Sequence, residues 1–597
     1  MLDVRVYRAA FLPALVALFI TAFSLADRPV PVTAPDSAAD AFDAERAFGA
    51  RAPLQNSLAE LARTFPDRSP GSADDRALAD RVADTLGRPD RTQGPAFRVT
   101  REGTGDIETV VGVRPGLSSR RIVVLSHRDA TDRPGLAELS GTAAMLELAR
   151  LFRARELRKT LVLVSTSGAT DGFTGARAWA EGVDADSVDA VIVLGDMATA
   201  RLARPWVVPW SLGLGSAPLA LQRTMESAVR AEVGRPGGSR ASTQWMRRAW
   251  PYTVSEQGGI NAAGLPAVMV GASGERGPRP DARVRRARLE AFGRAVLRAV
   301  TAIDAAGPAR AEEVDPAFPQ GPSGIVTLRN VLPDWAVRLM IGTLLLPAFL
   351  TALDGFFRVR RRRLSMRPWL IWLGASALPV LLAWLWARAL GITGALDPPE
   401  APVLPLPPVN GVALGSIAVI FLLGWFGVRP LLLATVRHRG SPSAGSLAAA
   451  SGAALCTLAA VVWAANPYAA ALLLPAAHLW LFAAAPGTRL RGWAGFAVIV
   501  AGLLPFLLLT FAFSRALGLD PLELAWMALL SAASGQLSLW AALVAAGLTA
   551  SLAALLAIMR TRRRAEAKVE PEPLRTRGPA SYAGPGSLGG TESALRR

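Results

Sequence analysis

The chain changes texture once. Up to about residue 324, short apolar runs alternate with polar stretches; from 332 to 559, long apolar runs dominate. Residues 122–181 organise the first part. An apolar run at 122–125 ends in Ser126-His127-Arg128-Asp129, and a helical spacing of apolar residues follows over 140–155. A second apolar run, 160–164, ends in Ser165-Thr166-Ser167-Gly168, and another helix starts near Gly172. This order predicts βαβ units with polar residues at the carboxyl ends of the strands. Open α/β sheets hold their ligands there. Around this unit the pattern predicts helices at 39–65, 73–86, 219–232 and 281–306. It predicts strands at 98–100, 107–113, 191–194 and 266–270. The fold class expected is α/β, an open and mostly parallel sheet flanked by helices, joined to an all-α multi-pass membrane bundle.

Apolar runs of about 18 residues or more read as membrane spans. They fall near 333–356, 368–388, 411–433, 445–464, 468–485 and 493–513, with a seventh ending near 559. An eighth apolar segment, 9–26, reads as an uncleaved anchor in preference to a signal peptide, although Ser24-Leu25-Ala26 resembles a cleavage site. Residues 521–559 are long enough for two crossings. Two would place the arginines of 560–564 outside, so 522–536 reads as an interfacial or re-entrant helix. Arg5, Arg8, the arginines of 358–367, Arg437, Arg439, Arg489, Arg491 and those of 560–564 then share the cytoplasmic side. The loop 391–410, with six prolines and the acids Asp397 and Glu400, falls on the other side. Lone charges at Arg338, Asp354, Arg388 and Arg515 lie near span ends, within reach of the headgroups. His478 and Trp480 read as part of an interfacial aromatic belt.

The expected organisation is a membrane anchor or signal at 1–29, an extracytoplasmic α/β domain at 30–311 and a linker at 312–331. A seven-span bundle at 332–560 and a disordered cytoplasmic tail at 561–597 follow. The location expected is the cell membrane of a bacterium.

Composition sharpens this picture. Hydrophobic residues are 51% of the 597, too many for an ordinary soluble protein. The net charge of +18, from 65 Lys+Arg against 47 Asp+Glu, suggests nucleic acid at first sight. Much of the excess flanks the spans, however, so it points to the lipid bilayer as partner and away from nucleic acid. Lys159 and Lys568 are the only lysines, a bias of coding composition more than a site. The single cysteine, Cys456, lies in an apolar run and excludes both an intramolecular disulfide and a Cys-rich metal site.

His127 and Asp129 form an H-x-D pair at a strand end. In zinc chemistry such a histidine binds the metal and the carboxylate orients its ring. Asp196 ends another strand, so a site can be assembled from several strand ends. Ser126, Ser140, Ser165 and Ser167 surround His127 in sequence, but none stands in a G-x-S-x-G elbow.

The order and wording of several segments resemble the M28 zinc aminopeptidases. They are Phe65-Pro66-Asp67-Arg68 with Gly71-Ser72, Val111-Gly112-Val113-Arg114-Pro115-Gly116, Ser126-His127-Arg128-Asp129 and Ser140-Gly141. Gly172-Phe173-Thr174-Gly175, Gly195-Asp196-Met197 and Ala263-Gly264-Leu265-Pro266 continue the series. The resemblance spans roughly 40–305. Membrane-bound M28 peptidases and the large subunit of the GPI transamidase are similar in joining such a domain to a multi-span bundle.

What the resemblance implies can be followed position by position. His127 matches the first histidine ligand and Asp129 the aspartate behind it. The bridging aspartate falls at Ala137, the general-base glutamate at Ala169 and the glutamate ligand at Thr170. Asp196 matches the aspartate ligand, and the last histidine falls at Gln257. Two of five ligands remain, and the base is lost. A pair of dications needs several anionic or imidazole ligands, and a bound water needs a base for its proton. Acids stand one residue from three lost positions, at Glu138, Asp171 and Glu256, where a shifted loop would bring them in.

The expectation is a catalytically inactive M28-like pseudopeptidase with no cofactor and a vestigial site at His127, Asp129 and Asp196. His127 is expected to bond to Asp129 or Asp196. The role expected is binding or scaffolding of a membrane or envelope protein, or of a peptide whose amine or carboxylate meets Asp196, Asp129 and Arg128. One alternative is a zinc-dependent M28-type aminopeptidase with an altered metal site. Another is a transporter or lipid-handling membrane protein with an accessory domain.

Overall fold

The computed structural model describes residues 4–49, 55–89, 96–104, 107–130, 135–306, 323–437, 444–485 and 492–568, with Phe318, Thr488 and Leu490. The expected tail beyond 568, most of the expected linker, and Arg439, Arg489 and Arg491 lie outside the described residues.

The sheet has seven strands: β1 (Arg98–Thr104), β2 (Ile107–Arg114), β3 (Ser118–His127), β4 (Lys159–Thr166), β5 (Val188–Leu194), β6 (Val207–Val208) and β7 (Ala267–Val270). Their spatial order is β1-β2-β4-β3-β5-β7-β6. The four central strands β4, β3, β5 and β7 run parallel, and antiparallel pairings add β2, β1 and β6 at the edges. The apolar runs dictate this centre. A parallel strand is buried on both faces and reads as unbroken Val, Ile and Leu, and every residue of β5 is buried.

Alternate strand residues feed two cores. Ile122, Val124, Leu161 and Leu163 pack under helices Ala73–Gly87, Ser140–Arg153, Leu219–Val233 and Arg286–Ala305. Val123, Leu125, Val162 and Val164 pack under Thr174–Glu181 and Gln257–Ala262. The helix expected over 39–65 is instead two short helices, Ala44–Phe48 and Leu58–Thr64. Gly49, at φ 74°, closes the first in the left-handed conformation. A small antiparallel sheet, unforeseen in the sequence, joins Ala26–Asp27, Asn330–Pro333 and Gly324–Val326.

Among the described residues, seven helices are long and apolar enough to cross a membrane: Asp334–Arg361, Arg367–Ile392, Gly411–Ala434, Gly445–Ala465, Pro467–Ala484, Gly492–Leu517 and Leu539–Arg562. They fit a multi-pass membrane protein. Pro521–Ser534 is a separate helix of 14 residues. Asp520 and Glu523 form a capping box at its start, Pro521 needs no N–H there, and Gly535 at φ 91° ends it.

The expected eighth crossing is a shorter, broken helix. Val4–Ala9 and Leu12–Phe23 are interrupted just before Pro13, which has no N–H to carry a helix through. Its Tyr7 hydroxyl lies 2.8 Å from His478 Nδ1. His478 Nε2 donates to the Leu344 carbonyl at 2.9 Å, so Nδ1 accepts from Tyr7. His478 and Trp480 are therefore helix-packing residues and not an aromatic belt: Trp480 is buried, against Gly502.

The α/β region is seated on the bundle. Arg248 pairs with Asp334 at 3.0 Å, and Asn466 Nδ2 donates to the Arg248 carbonyl at 2.8 Å. Tyr252 Oη and Ser531 Oγ are 3.1 Å apart. Arg247 pairs with Glu275 and lies 4.7 Å over the Phe513 ring. The proline-rich loop after Arg367–Ile392 reaches the sheet: Ala401 and Val403 are buried beside Phe173 and Trp179.

Candidate functional site

Parallel pairing sets His127, at the end of β3, beside Thr166 at the end of β4. A buried carboxylate, Glu256, bridges these two strand ends. Its Oε2 lies 3.2 Å from His127 Nδ1, and its Oε1 accepts from Thr166 Oγ1 at 3.1 Å. Of the three substitute acids, Glu256 has thus moved in on His127, and Glu138 stands near enough to act on its charge. Burial disfavours the imidazolium, but Glu256, then Asp129 and Glu138, outweigh it and lift His127 to about 9. His127 is bonded to Glu256, and not to Asp129 or Asp196 as expected from the sequence.

Asp129 is buried, and its Oδ2 accepts from the Thr170 amide at 3.3 Å. Burial pushes its carboxyl up to about 6, against the pull of His127. Asp196 holds its own turn: Oδ1 accepts from the amides of Ala198 at 2.9 Å and Thr199 at 3.0 Å. Burial raises its carboxyl as well. Ser140, one of the serines considered as nucleophiles, serves the same turn by donating to Asp196 and accepting from the Met197 amide.

The positions where the resemblance expects ligands are built otherwise. Ala137 is fully buried. Ala169 packs in the apolar cluster of Val164, Phe173 and Ala176. Gln257 is also fully buried, and its Nε2 donates to the Trp210 carbonyl at 3.2 Å and to Thr253 Oγ1 at 3.3 Å. Asp171 lies at the surface beside the proline-rich loop, and partial loss of solvent there, then Glu400 and Asp397, raise its carboxyl. Among the described residues no group of three His, Cys, Asp or Glu side chains could hold a metal ion. Of the positions where the resemblance implies zinc ligands or a base, Ala137 and Ala169 have no donor atom.

Arg128 does not face a ligand either. Both it and Asp75 are fully buried, and Nε lies 2.9 Å from Asp75 Oδ1. Its other nitrogens donate to the Ser165 and Glu108 carbonyls at 3.1 and 2.7 Å. Ser167 Oγ also donates to Asp75, at 2.7 Å. This network ties the start of helix Ala73–Gly87 to the strand ends. Sequence reading missed Arg68, which is buried near Asp129 and Glu138 and donates to the Phe65 carbonyl at 2.7 Å. An arginine within a segment of resembling wording was the only signal for it.

One rim of the site belongs to the bundle. Gly172, at φ 73°, lets the backbone of Glu400 and Ala401 approach so closely that a Cβ there would lie 2.4 Å from the Ala401 amide. Arg177 pairs with Glu400 at 3.0 Å, and Gln536 donates to the Glu400 carbonyl at 2.8 Å.

Residues 109–232 match the model of Peptidase family M28. No curated protein gives a significant match. Among solved structures, the chain is similar to the LapA aminopeptidase of Legionella pneumophila, with 15% identity and a TM-score of 0.37, covering 46% of this chain and 76% of that one. It is similar to a putative Zn-dependent exopeptidase of Bacteroides vulgatus, with 17% identity, a TM-score of 0.31 and coverage of 45% and 98%. The glutaminyl cyclase of Macrostomum lignano is similar at 16% identity, with a TM-score of 0.33 and coverage of 46% and 95%.

Proposed function

We propose that this chain is a membrane-embedded M28-like pseudopeptidase. Its α/β region, 30–311, faces the extracytoplasmic side, its bundle occupies 332–560, and its tail, 561–597, is cytoplasmic. Its work is binding or scaffolding, with a membrane or envelope protein, or a peptide, as the occupant. One observation carries this reading: the positions that should supply ligands and base are Ala137, Ala169, Thr170 and Gln257, and two of them, Ala137 and Ala169, carry no donor atom. A bound water there has no carboxylate at residue 169 to take its proton. The arginines beside the spans support the orientation.

The test is zinc content of the full-length protein in detergent, after loading with zinc and desalting. The expected result is no zinc above that of the H127A/D196A variant. One or two zincs per chain, absent from that variant, would overturn the reading.

A second reading, a zinc-dependent aminopeptidase with an altered site, draws on the placement of Glu256 beside His127. It requires chelator-sensitive release of an amino-terminal residue, abolished in H127A and E256Q.

A further inference from the structure

The sheet face opposite the proline-rich loop carries a hollow that the site above does not use. It measures about 540 Å³, within the range of roughly 300–1,000 Å³ usual for small-molecule sites. Among the described residues, Arg46, Arg81, Arg88, Arg150 and Arg153 line it, from three different helices and their ends, with the acids Asp84 and Glu147. Asp43 and Glu60, just outside the lining, pair with Arg46 and Arg81, so five cations stand against four anions, a surplus of one positive charge. Like charges gathered in one hollow raise its affinity for an anion.

The guanidiniums fall into two kinds. Arg81 and Arg150 are held in place by Glu60 at 3.2 Å and Glu147 at 2.5 Å, with both acids largely buried. Arg46 and Arg88 stand at the rim. Arg46 is 3.8 Å from Asp43, and Arg88 is 3.3 Å from Asp84, with side chains 49% and 71% exposed. Exposed pairs of this kind contribute little and are readily exchanged. The fixed pair offers the N–H groups that Glu60 and Glu147 leave over, and the movable pair can turn its parallel N–H donors inward, which suits an anion with several oxygens.

We propose that this hollow binds a small soluble solute bearing phosphate-type oxyanions, with Arg81 and Arg150 as the fixed base and Arg46 and Arg88 as the closing pair. A soluble ligand is favoured over a lipid headgroup by position. The hollow belongs to the core under helices Ala73–Gly87 and Ser140–Arg153, whereas the bundle's loop packs into the core on the other face.

Calorimetric titration of the full-length protein in neutral detergent with sodium pyrophosphate, at low and matched ionic strength, tests this. The result expected is saturable one-site binding, weakened about tenfold or more in R46S/R88S. R279S/R283S, which removes two exposed arginines outside the lining, should bind as the native protein does. Absence of saturation up to about 10 mM, an unchanged Kd in R46S/R88S, or equal weakening in R279S/R283S would each overturn the proposal.

Discussion

Replacing Glu256 by Gln should make the stability of the site depend on pH in a defined way. The isosteric amide can still accept from Thr166, so the change removes chiefly the charge beside His127. In the native protein, burial works against the imidazolium and Glu256 leads the groups that overcome it, from 6.5 to about 9. A histidine raised in the folded state stabilises it fully below about 6.5, and that contribution is lost as pH rises through about 9. The full difference corresponds to about 3 kcal/mol, shared between Glu256, Asp129 and Glu138. E256Q should therefore cost about 1–3 kcal/mol at pH 6 and close to nothing at pH 10. Thermal unfolding of the full-length protein in detergent measures the cost. Histidine-selective NMR measures the titration directly, with only His127, His438 and His478 to resolve. A His127 signal that titrates near 6.5 in the native protein, or equal destabilisation at both pH values, would refute the bridging role of Glu256.

Three further outcomes are expected. Asp75→Asn leaves the Arg128 guanidinium buried without its countercharge, at a cost of about 3–5 kcal/mol by chemical unfolding; a loss below about 1 kcal/mol would mean the pair is not buried as described. Glu400→Arg breaks a pair whose acid is 61% exposed, so stability changes by about 1 kcal/mol or less. Hydrogen exchange in the turn 168–173 should nevertheless rise, and R177E/E400R should restore it; exchange that ignores both variants sinks the idea that the loop holds this rim. Asp196→Ala should lower the unfolding free energy by about 1–3 kcal/mol in metal-free buffer, since two amides lose their acceptor. A D196A protein as stable as the native one would return Asp196 to the role of a ligand in waiting.

The elements most legible in the sequence were those with one dominant constraint. β3, β4 and β5 are buried on both faces, so their Val, Ile and Leu runs have no competing reading. The long apolar helices were legible from length and apolarity, and Pro521–Ser534 is separate from Leu539–Arg562, as the placement of the flanking arginines suggested. What escaped was decided by distant partners. Helix Ala241–Ala249 is only nine residues long and rich in polar residues, and its Met246, Arg247 and Arg248 meet the bundle as well as the α/β core. Trp480 looked like a boundary residue because nothing local reveals that Gly502 leaves room for its ring. At the site, strand ends placed His127 and Asp196 correctly. Neither the turn of Glu256 toward His127 nor that of Arg128 toward Asp75 has a local signature.

Asp129 and Asp196, the two acids at the strand ends, are held by the backbone without a metal. A buried carboxylate without donors costs several kcal/mol, so one released from a metal persists only where the protein supplies partners. Asp196 has two backbone amides and Asp129 has the Thr170 amide. At 137 and 169, where carboxylates are expected, alanines are buried, and Ala169 extends the apolar core toward Phe173. Positive charge near Asp129 and Glu138 comes from the buried Arg68 and from His127. The chain answers one oxygen of Asp129 and one of Asp196, and these hold the strand ends together; Asp129 Oδ1, Asp196 Oδ2 and Glu138 Oε2 are buried without a hydrogen-bond partner among the described residues.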